Sequence, residues 1–244
     1  MLHISIKPEV ITHILGISVT NSLLASLLLT VLFAFLALIF KLKSHDKNST
    51  FVFFIRFVLT KLYNLFESIL KEKAIVFFPI LGAFFLYILL SNWIGLIPGV
   101  GSVLLEVVHD GHAVHVPLLR AATADLNTTI ALGLISVVLI QVYGIKYLGI
   151  KKYVGKFITF TSPIAFFVGI LEIISEFSKV LSFAFRLFGN IFAGEVLIAV
   201  ISFLIPVLAS FPFLMLEIFV GLVQALVFSM LSAVFFSMST AEHH

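Results

Sequence analysis

The segment Ser182–Glu195 (SFAFRLFGNIFAGE) places an arginine inside one of the longest apolar stretches of the chain. Arginine does not lose its charge in proteins, and at the centre of a bilayer it costs about 3 kcal/mol by the lowest estimate. Ser182, Arg186 and Asn190 recur every four residues, so a helix would present them as one polar stripe on an apolar surface. Such a stripe indicates either a buried ion pair or a path for ions.

Further ionisable residues lie in the last two apolar segments: Glu172, Glu176, Lys179, Glu195 and Glu217. On a helix, Glu172 lies within about 40° of the Arg186 face but more than three turns away, too far for a direct ion pair. Glu217 and Gln224 are seven residues apart and share a face of the last helix. If these segments form a hairpin, Glu195 and Glu217 approach each other, and two close carboxylates can share a proton. Ionisable groups inside membrane helices are by default candidates for an ion pathway, with structural pairing as the alternative.

The composition is that of an integral membrane protein. Of the 244 residues, 61% are hydrophobic and 11% are charged, whereas soluble domains contain about 25% charged residues. The chain has no cysteine, which excludes disulfides and thiolate ligands. Its basic residues lie in short clusters beside apolar runs, so the net charge of +3 does not indicate nucleic-acid binding. The first apolar run lacks the basic flank and cleavage site of a signal peptide, and we expect a retained helix.

The apolar runs predict an all-α integral membrane protein in which residues 1–244 form a single domain in the lipid bilayer. A run of about 20 apolar residues is long enough to cross roughly 30 Å of hydrocarbon as a helix. About five membrane-embedded helices are expected, at residues 21–40, 74–97, 126–148, 161–205 and 212–238.

Two predicted elements differ from a simple perpendicular span. Residues 50–73 carry charges at near-helical spacing, which predicts an amphipathic helix on the cytoplasmic membrane surface. Residues 161–205 are too many for one perpendicular helix, so we expect a short segment and then a long, strongly tilted helix. That helix and 212–238 are expected to form a hairpin, while residues 1–20 form an outer N-terminal segment.

The polar connection at 98–125 contains Asp110 and Gly111 between two runs compatible with β-strands. An Asp-Gly pair in this position predicts a β-hairpin with a two-residue turn. If the strands pair outward from this turn, His109 lies opposite His112 and Glu106 lies opposite His115. Clustered histidines can bind zinc, but hairpin neighbours point to alternate faces and no HExxH helix is present. We therefore expect no metal site, and the histidines have no assigned role.

The distribution of charge predicts the orientation in the membrane. Basic clusters at 41–47, 56–73 and 146–156 fall on one side if the connections alternate, whereas 98–125 has one arginine against three acidic residues. The positive-inside rule then places the N-terminus outside, and both the surface helix and the C-terminus in the cytoplasm.

Four motifs, in order along the chain, resemble those of subunit a of the F-type ATP synthase, its membrane stator. The most specific is RLFGN-x-x-AGE at Arg186–Glu195. The others are NWIGLIP at 92–98, TADLNTT at 123–129, and E-x6-Q from Glu217 to Gln224. The resemblance covers most of the chain.

The resemblance implies two aqueous half-channels that carry protons to and from carboxylates on a rotating c-ring. It implies that Arg186 faces this ring and separates the half-channels. The remaining positions are implied to line the outer half-channel (Asn190, Glu195, Glu217 and Gln224) or the inner exit (Ser182 and Glu172). It also implies partners, namely the c-ring, subunit b of the peripheral stalk and the rest of the ATP synthase, with no catalytic site or cofactor in this chain.

Two positions depart from a pattern familiar in bacterial relatives. Glu217 stands where many of them have a histidine, so the expected partner of Glu195 is a second acid. Gly95 stands where some have an aspartate, and Asp125 is a candidate for the missing outer acid. Candidates for the mouth of the outer half-channel are therefore Asn92, Asp125 and Asn127.

Two other classes of membrane protein fit the sequence less well. A stand-alone secondary transporter often shows inverted repeats with broken helices, and the sequence contains no such repeat. An intramembrane protease or phosphatase is disfavoured because the chain lacks HExxH, cysteine, and a Ser/His pair in the spans.

Overall fold

The computed structural model describes residues 7–14, 16–44, 46, 49–97, 100, 104–109, 112–157, 162–205 and 210–241. Within these residues the chain forms seven α-helices, two β-hairpins and two short 3-10 turns. The helices are α1 (Asn21–Lys43), α2 (Thr50–Leu70), α3 (Ala74–Ile94), α4 (Leu126–Leu148), α5 (Ile150–Phe157), α6 (Pro163–Leu204) and α7 (Ser210–Thr240). The strands are β1 (Val10–Ile14), β2 (Ile17–Thr20), β3 (Leu104–His109) and β4 (His112–Pro117), and the 3-10 turns are Lys71–Lys73 and Ala122–Ala124.

The predicted fold class is confirmed. Five helical stretches in the described part of the chain are long and apolar enough to cross a membrane: α1, α2 continuing through a 3-10 turn into α3, α4, α6 and α7. The chain is accordingly a multi-pass membrane protein with a small β-hairpin between α3 and α4.

Local sequence signals explain where three of the long helices begin. The Thr20 hydroxyl accepts a hydrogen bond from the Leu23 amide at the start of α1. The Asp125 carboxylate does the same for the Asn127 amide at the start of α4. Ser162 caps α6, where Pro163 needs no hydrogen-bond partner for its nitrogen.

The helices α3, α4, α6 and α7 share an aromatic core. Phe77 of α3 stacks on Phe236 of α7 with ring centroids 4.6 Å apart, and Phe183 of α6 lies 4.7 Å from Phe228 of α7. Gly133 of α4 lets the backbone of α6 come close, because a Cβ there would be 3.1 Å from a carbonyl oxygen of α6. Through these contacts α6 and α7 are held at fixed positions against the rest of the bundle.

The helix α2 has the amphipathic pattern that the sequence predicts. Leu62, Phe66 and Leu70 are buried at successive intervals of four residues, while the charged Arg56 and Lys61 are exposed. Its location on the membrane surface stays a prediction.

The expected division of 161–205 into two helical segments is wrong. The helix α6 is continuous over 42 residues, which makes it about 63 Å long and roughly twice as long as a perpendicular span requires. The short helix lies before it instead, as α5, because Gly149 adopts a positive φ of 80° and ends α4.

The hairpin β3–β4 has the predicted register, with His109 paired to His112 and Glu106 to His115. Asp110 and Gly111, which the sequence assigns to its turn, lie outside the described residues, and so do the side chains of its histidines. A second hairpin, β1–β2, lies in the N-terminal segment, for which the sequence predicted no strands.

Candidate functional site

The polar stripe on α6 lies on an exposed face of the helix. Ser182, Arg186 and Asn190 are all exposed, and the Arg186 Nη2 donates a hydrogen bond of 3.2 Å to the Ser182 Oγ. Among the described residues, Arg186 forms no ion pair with a carboxylate. Within the described part of the chain, therefore, Arg186 has a hydroxyl partner and no acidic one.

Glu195 lies on α6 beyond the Asn190 end of the stripe. It is paired with an arginine from the connection that follows β4. The Arg120 Nε donates a hydrogen bond of 3.1 Å to the Glu195 Oε2, and the Arg120 Nη2 lies 3.1 Å from the same oxygen. The guanidinium also lies 5.6 Å from the centre of the Phe192 ring. Glu195 is thus anchored by a cation that the sequence analysis had not assigned to the site.

Glu217 of α7 is buried against α6. Its side chain is 6% exposed, and its carboxyl group lies against the backbone of Gly194, where a Cβ would fall 2.0 Å from the Glu217 carboxyl carbon. Glu195 follows Gly194 directly and lies within Coulombic range of Glu217. The packing of α7 against α6 therefore places Glu217 beside the residue that precedes Glu195. That the two carboxylates share a proton stays a prediction.

The end of α3 holds α7 next to this site. Asn92 Nδ2 donates a hydrogen bond of 2.9 Å to the Gly221 carbonyl, and Trp93 Nε1 donates one of 3.1 Å to the Ile218 carbonyl. The end of α3 therefore fixes the turn of α7 that follows Glu217, while α6 packs against Glu217 itself.

Comparison with known proteins identifies the family. The family profile described as ATP synthase A chain matches residues 23–237. The chain belongs to the ATP synthase A chain family. Its relatives include subunit a of the chloroplast ATP synthase of Bigelowiella natans, 38% identical over 176 residues, which span 71% of this chain and 65% of the relative. Subunit a of the ATP synthase of Desulforamulus reducens is 36% identical over 192 residues, spanning 74% of this chain and 64% of the relative. The matched region is thus just under two thirds of the length of these relatives.

In this member of the ATP synthase A chain family, the candidate residues at the outer mouth make structural contacts. Asn92 is buried, and its Oδ1 accepts a hydrogen bond of 2.6 Å from Thr123. Asp125 is 6% exposed and accepts hydrogen bonds from the Ser22 hydroxyl and the Asn127 amide. The Asn127 residue itself is exposed. Their part in ion entry stays a prediction.

The other predicted positions are partly exposed. Gln224 is half-buried on α7, seven residues after Glu217. Glu172 is half-buried on α6 and interacts electrostatically with Tyr153 of α5. Among the described residues, no hydrogen bond joins Arg186 to Glu172 or to Gln224.

A second polar cluster, which the sequence analysis did not assemble, joins α4, α5 and α6. The Glu176 carboxylate accepts hydrogen bonds of 2.7 Å from Gln141 and 2.6 Å from Lys179. The Gln141 Oε1 in turn accepts a hydrogen bond from the Tyr153 hydroxyl. Burial, and then the negative charges of Glu176 and Glu172, raise the pKa of Tyr153 from 10.0 to about 12. The tyrosine is therefore a neutral hydrogen-bond donor throughout the physiological pH range.

Arg120 is the residue that the sequence analysis missed. The available signal was its position, since it is the single lysine or arginine between residues 98 and 125. A lone cation in an acidic connection indicates a specific partner, but the partner lies 75 residues away along the chain. Only the packing of the connection against α6 identifies it.

Proposed function

We propose that this chain is the proton-translocating stator subunit a of an F-type ATP synthase. It forms two aqueous half-channels that load and unload the carboxylates of a rotating c-ring, and Arg186 separates them. Ion flow through the half-channels is thereby coupled to rotation and to ATP synthesis. The chain has no catalytic site of its own and assembles with the c-ring, with subunit b of the peripheral stalk, and with the remainder of the enzyme.

The observation that carries this proposal is the exposure of Arg186. A permanent cation on an exposed face of a membrane helix, with no carboxylate partner among the described residues, needs a negative charge from another molecule. A c-ring carboxylate meets that need, because the guanidinium favours its ionised form. The same charge repels protons, so a proton passes from one half-channel to the other only by travelling with the ring.

The distribution of polar groups along α6 and α7 supports two separate half-channels. Glu195 lies nine residues beyond Arg186, about 14 Å along the helix axis, and Glu172 lies about 21 Å away in the opposite direction. Asn190, Glu217 and Gln224 belong with Glu195 in the outer half-channel. Ser182 and Glu172 belong to the inner exit.

The charges of the helix ends support the proposed orientation. Lys73 at the start of α3 donates a hydrogen bond of 2.7 Å to the Thr240 carbonyl at the end of α7, and lies 5.1 Å from the Tyr147 ring at the end of α4. These three helix ends therefore meet in a lysine-rich region, which we assign to the cytoplasm of a bacterium. The N-terminus and the connection that contains Arg120 then lie outside the inner (plasma) membrane.

The test is ATP-driven proton pumping by inverted membrane vesicles that contain the assembled enzyme. We expect Arg186→Ala to abolish pumping while the complex assembles normally. Arg56→Ala is the matched control, because Arg56 is an exposed arginine on α2, and it should pump like the wild type. Pumping that survives in Arg186→Ala would refute the proposed role.

A further inference from the structure

The pair formed by Arg120 and Glu195 crosses from the outer connection to α6. The side chain of Arg120 is 11% exposed and that of Glu195 is 30% exposed, so the pair is partly shielded from solvent. Partly shielded ion pairs interact more strongly than exposed ones, because water screens them less.

Further contacts restrict the position of Arg120. Its Nη1 donates a hydrogen bond of 3.4 Å to the Lys7 carbonyl, and its guanidinium packs beside the Phe192 ring. Three residues further along the chain, the Thr123 hydroxyl donates a hydrogen bond to Asn92 of α3. The segment that carries Arg120 is therefore itself held against the helical bundle.

The contacts distinguish the two oxygens of the Glu195 carboxylate. Both close nitrogen atoms of Arg120 approach Oε2. In the part of the chain that the structure describes, Oε1 takes part in no hydrogen bond or ion pair. A carboxylate held in this way has a fixed plane and one oxygen that is available to a proton.

We propose that Arg120 is a positioning residue of the outer half-channel: it holds Glu195 by Oε2 and leaves Oε1 to accept and release the transported proton. The inference rests on the proposed function, which assigns Glu195 to that half-channel. A proton arriving from water forms an Oε1–H bond, the carboxyl becomes neutral, and the bond breaks when the proton moves on. The guanidinium keeps its own protons throughout.

Among the described residues, two charged groups lie near Glu195. Arg120 approaches from the outer connection, with Nη2 3.1 Å from Oε2, and Glu217 of α7 lies against Gly194, the residue that precedes Glu195. Removal of Arg120 takes away the cation that lies 3.1 Å from Oε2, and the loss of so close a cation favours the protonated carboxyl.

The experiment measures ATP synthesis by inverted vesicles as a function of lumen pH, at a fixed external pH and membrane potential. The lumen corresponds to the outer face of the membrane. We expect Arg120→Gln to lower the maximal rate about tenfold or more, as misplaced groups do, and to move the midpoint of the pH dependence to higher pH. Arg120→Lys keeps the positive charge but lacks the planar guanidinium with its several N–H donors. It should keep the midpoint near that of the wild type and lower the maximal rate.

A double-mutant cycle with Glu195→Gln tests whether the arginine acts through the glutamate. If it does, adding Arg120→Gln to Glu195→Gln changes the rate little further, because one mechanism has already been lost. Independent, multiplying effects together with an unchanged midpoint would overturn the inference and leave Arg120 as a tether. If Arg120→Gln fails to assemble, Arg120→Lys takes its place in the cycle: a loss of rate that disappears in the Glu195→Gln background supports the inference, and an equal loss in both backgrounds overturns it.

The wild type and Arg186→Ala are measured in the same series, with Arg56→Gln as the arginine control. A wild type that neither pumps nor makes ATP would refute the proposed function itself. The proposed function stands if the wild type works and Arg186→Ala is inactive. If, in the same series, the effects of Arg120→Gln and Glu195→Gln are independent and the midpoint does not shift, only the positioning role of Arg120 is refuted.

Discussion

The carboxyl group of Glu217 occupies the space that a side chain at position 194 would need. A Cβ on Gly194 would fall 2.0 Å from the carboxyl carbon and from one carboxylate oxygen of Glu217. Glycine at this position is therefore required for the close approach of α6 and α7, and it places an acidic group of α7 directly beside the residue that precedes Glu195.

Replacement of Gly194 by alanine is expected to displace Glu217 and impair transport. The added methyl group cannot fit unless the carboxyl or one helix moves, and overpacking of this kind costs about 1–3 kcal/mol. We expect proton pumping to fall about tenfold or more, since small displacements of reactive groups have effects of that size. Pumping by inverted vesicles and thermal unfolding of the purified complex measure the two effects.

The control for that prediction is Gly155→Ala in α5, where a Cβ would meet no atom within 4 Å. Both substitutions gain helix propensity of about 0.5–1 kcal/mol, so the difference between them isolates the overlap with Glu217. Equal stability and equal pumping in the two variants would show that Glu217 does not depend on the glycine.

The buried hydrogen bond between Thr123 and Asn92 is expected to stabilise the connection between β4 and α4. Thr123→Val removes the hydroxyl that donates to the Asn92 Oδ1 at 2.6 Å, and a buried acceptor left without a partner costs about 1–3 kcal/mol. The thermal midpoint of the complex should fall accordingly. Thr30→Val is the control, because the hydroxyl of Thr30 bonds to a carbonyl of its own helix at an exposed position, and a loss as large as that of Thr123→Val would contradict the prediction.

The features that could be predicted from the sequence are those encoded locally. The apolar runs determine the number of membrane helices, because each must satisfy its backbone polar groups internally. The Asp-Gly pair determines the register of β3–β4, since a two-residue turn leaves one pairing. The stripe of Ser182, Arg186 and Asn190 follows from helical periodicity alone.

The features that could not be predicted depend on distant contacts. The hairpin β1–β2 leads into α1, where the Asn21 amide donates a hydrogen bond to the Glu9 carbonyl. No local sequence pattern predicts this hairpin. The pairing of Arg120 with Glu195 joins two parts of the chain whose proximity depends on how the whole connection packs. The continuity of α6 was missed because membrane thickness limits a perpendicular helix but not a tilted one.

Tyr153 is expected to make stability depend on pH only under alkaline conditions. Its pKa is raised from 10.0 to about 12 in the folded protein, so the folded state favours the neutral phenol. The resulting stabilisation is fully present below pH 10, where the phenol is neutral in both states, and is lost as the pH rises from 10 to about 12. Tyr153→Phe lacks this contribution, so the difference in unfolding midpoint between the wild type and this variant should shrink over that interval. A difference that stays constant from neutral pH to pH 12 would show that the phenol does not titrate with folding.

Lys73 is expected to stabilise the last turn of α7. Its ammonium group donates hydrogen bonds to the Thr240 carbonyl at 2.7 Å and to the Thr240 hydroxyl at 3.2 Å, and a cation at a helix C-terminus is stabilising by about 0.3–1 kcal/mol or more when partly buried. Lys73→Met should therefore speed amide hydrogen exchange in residues 237–240 by about twofold to fivefold, because local opening becomes easier by that free energy. Lys152→Met, at an exposed position of α5, is the control and should leave these amides unchanged. Equal exchange rates in the two variants would mean that the end of α7 is held by its aromatic contacts and not by the lysine.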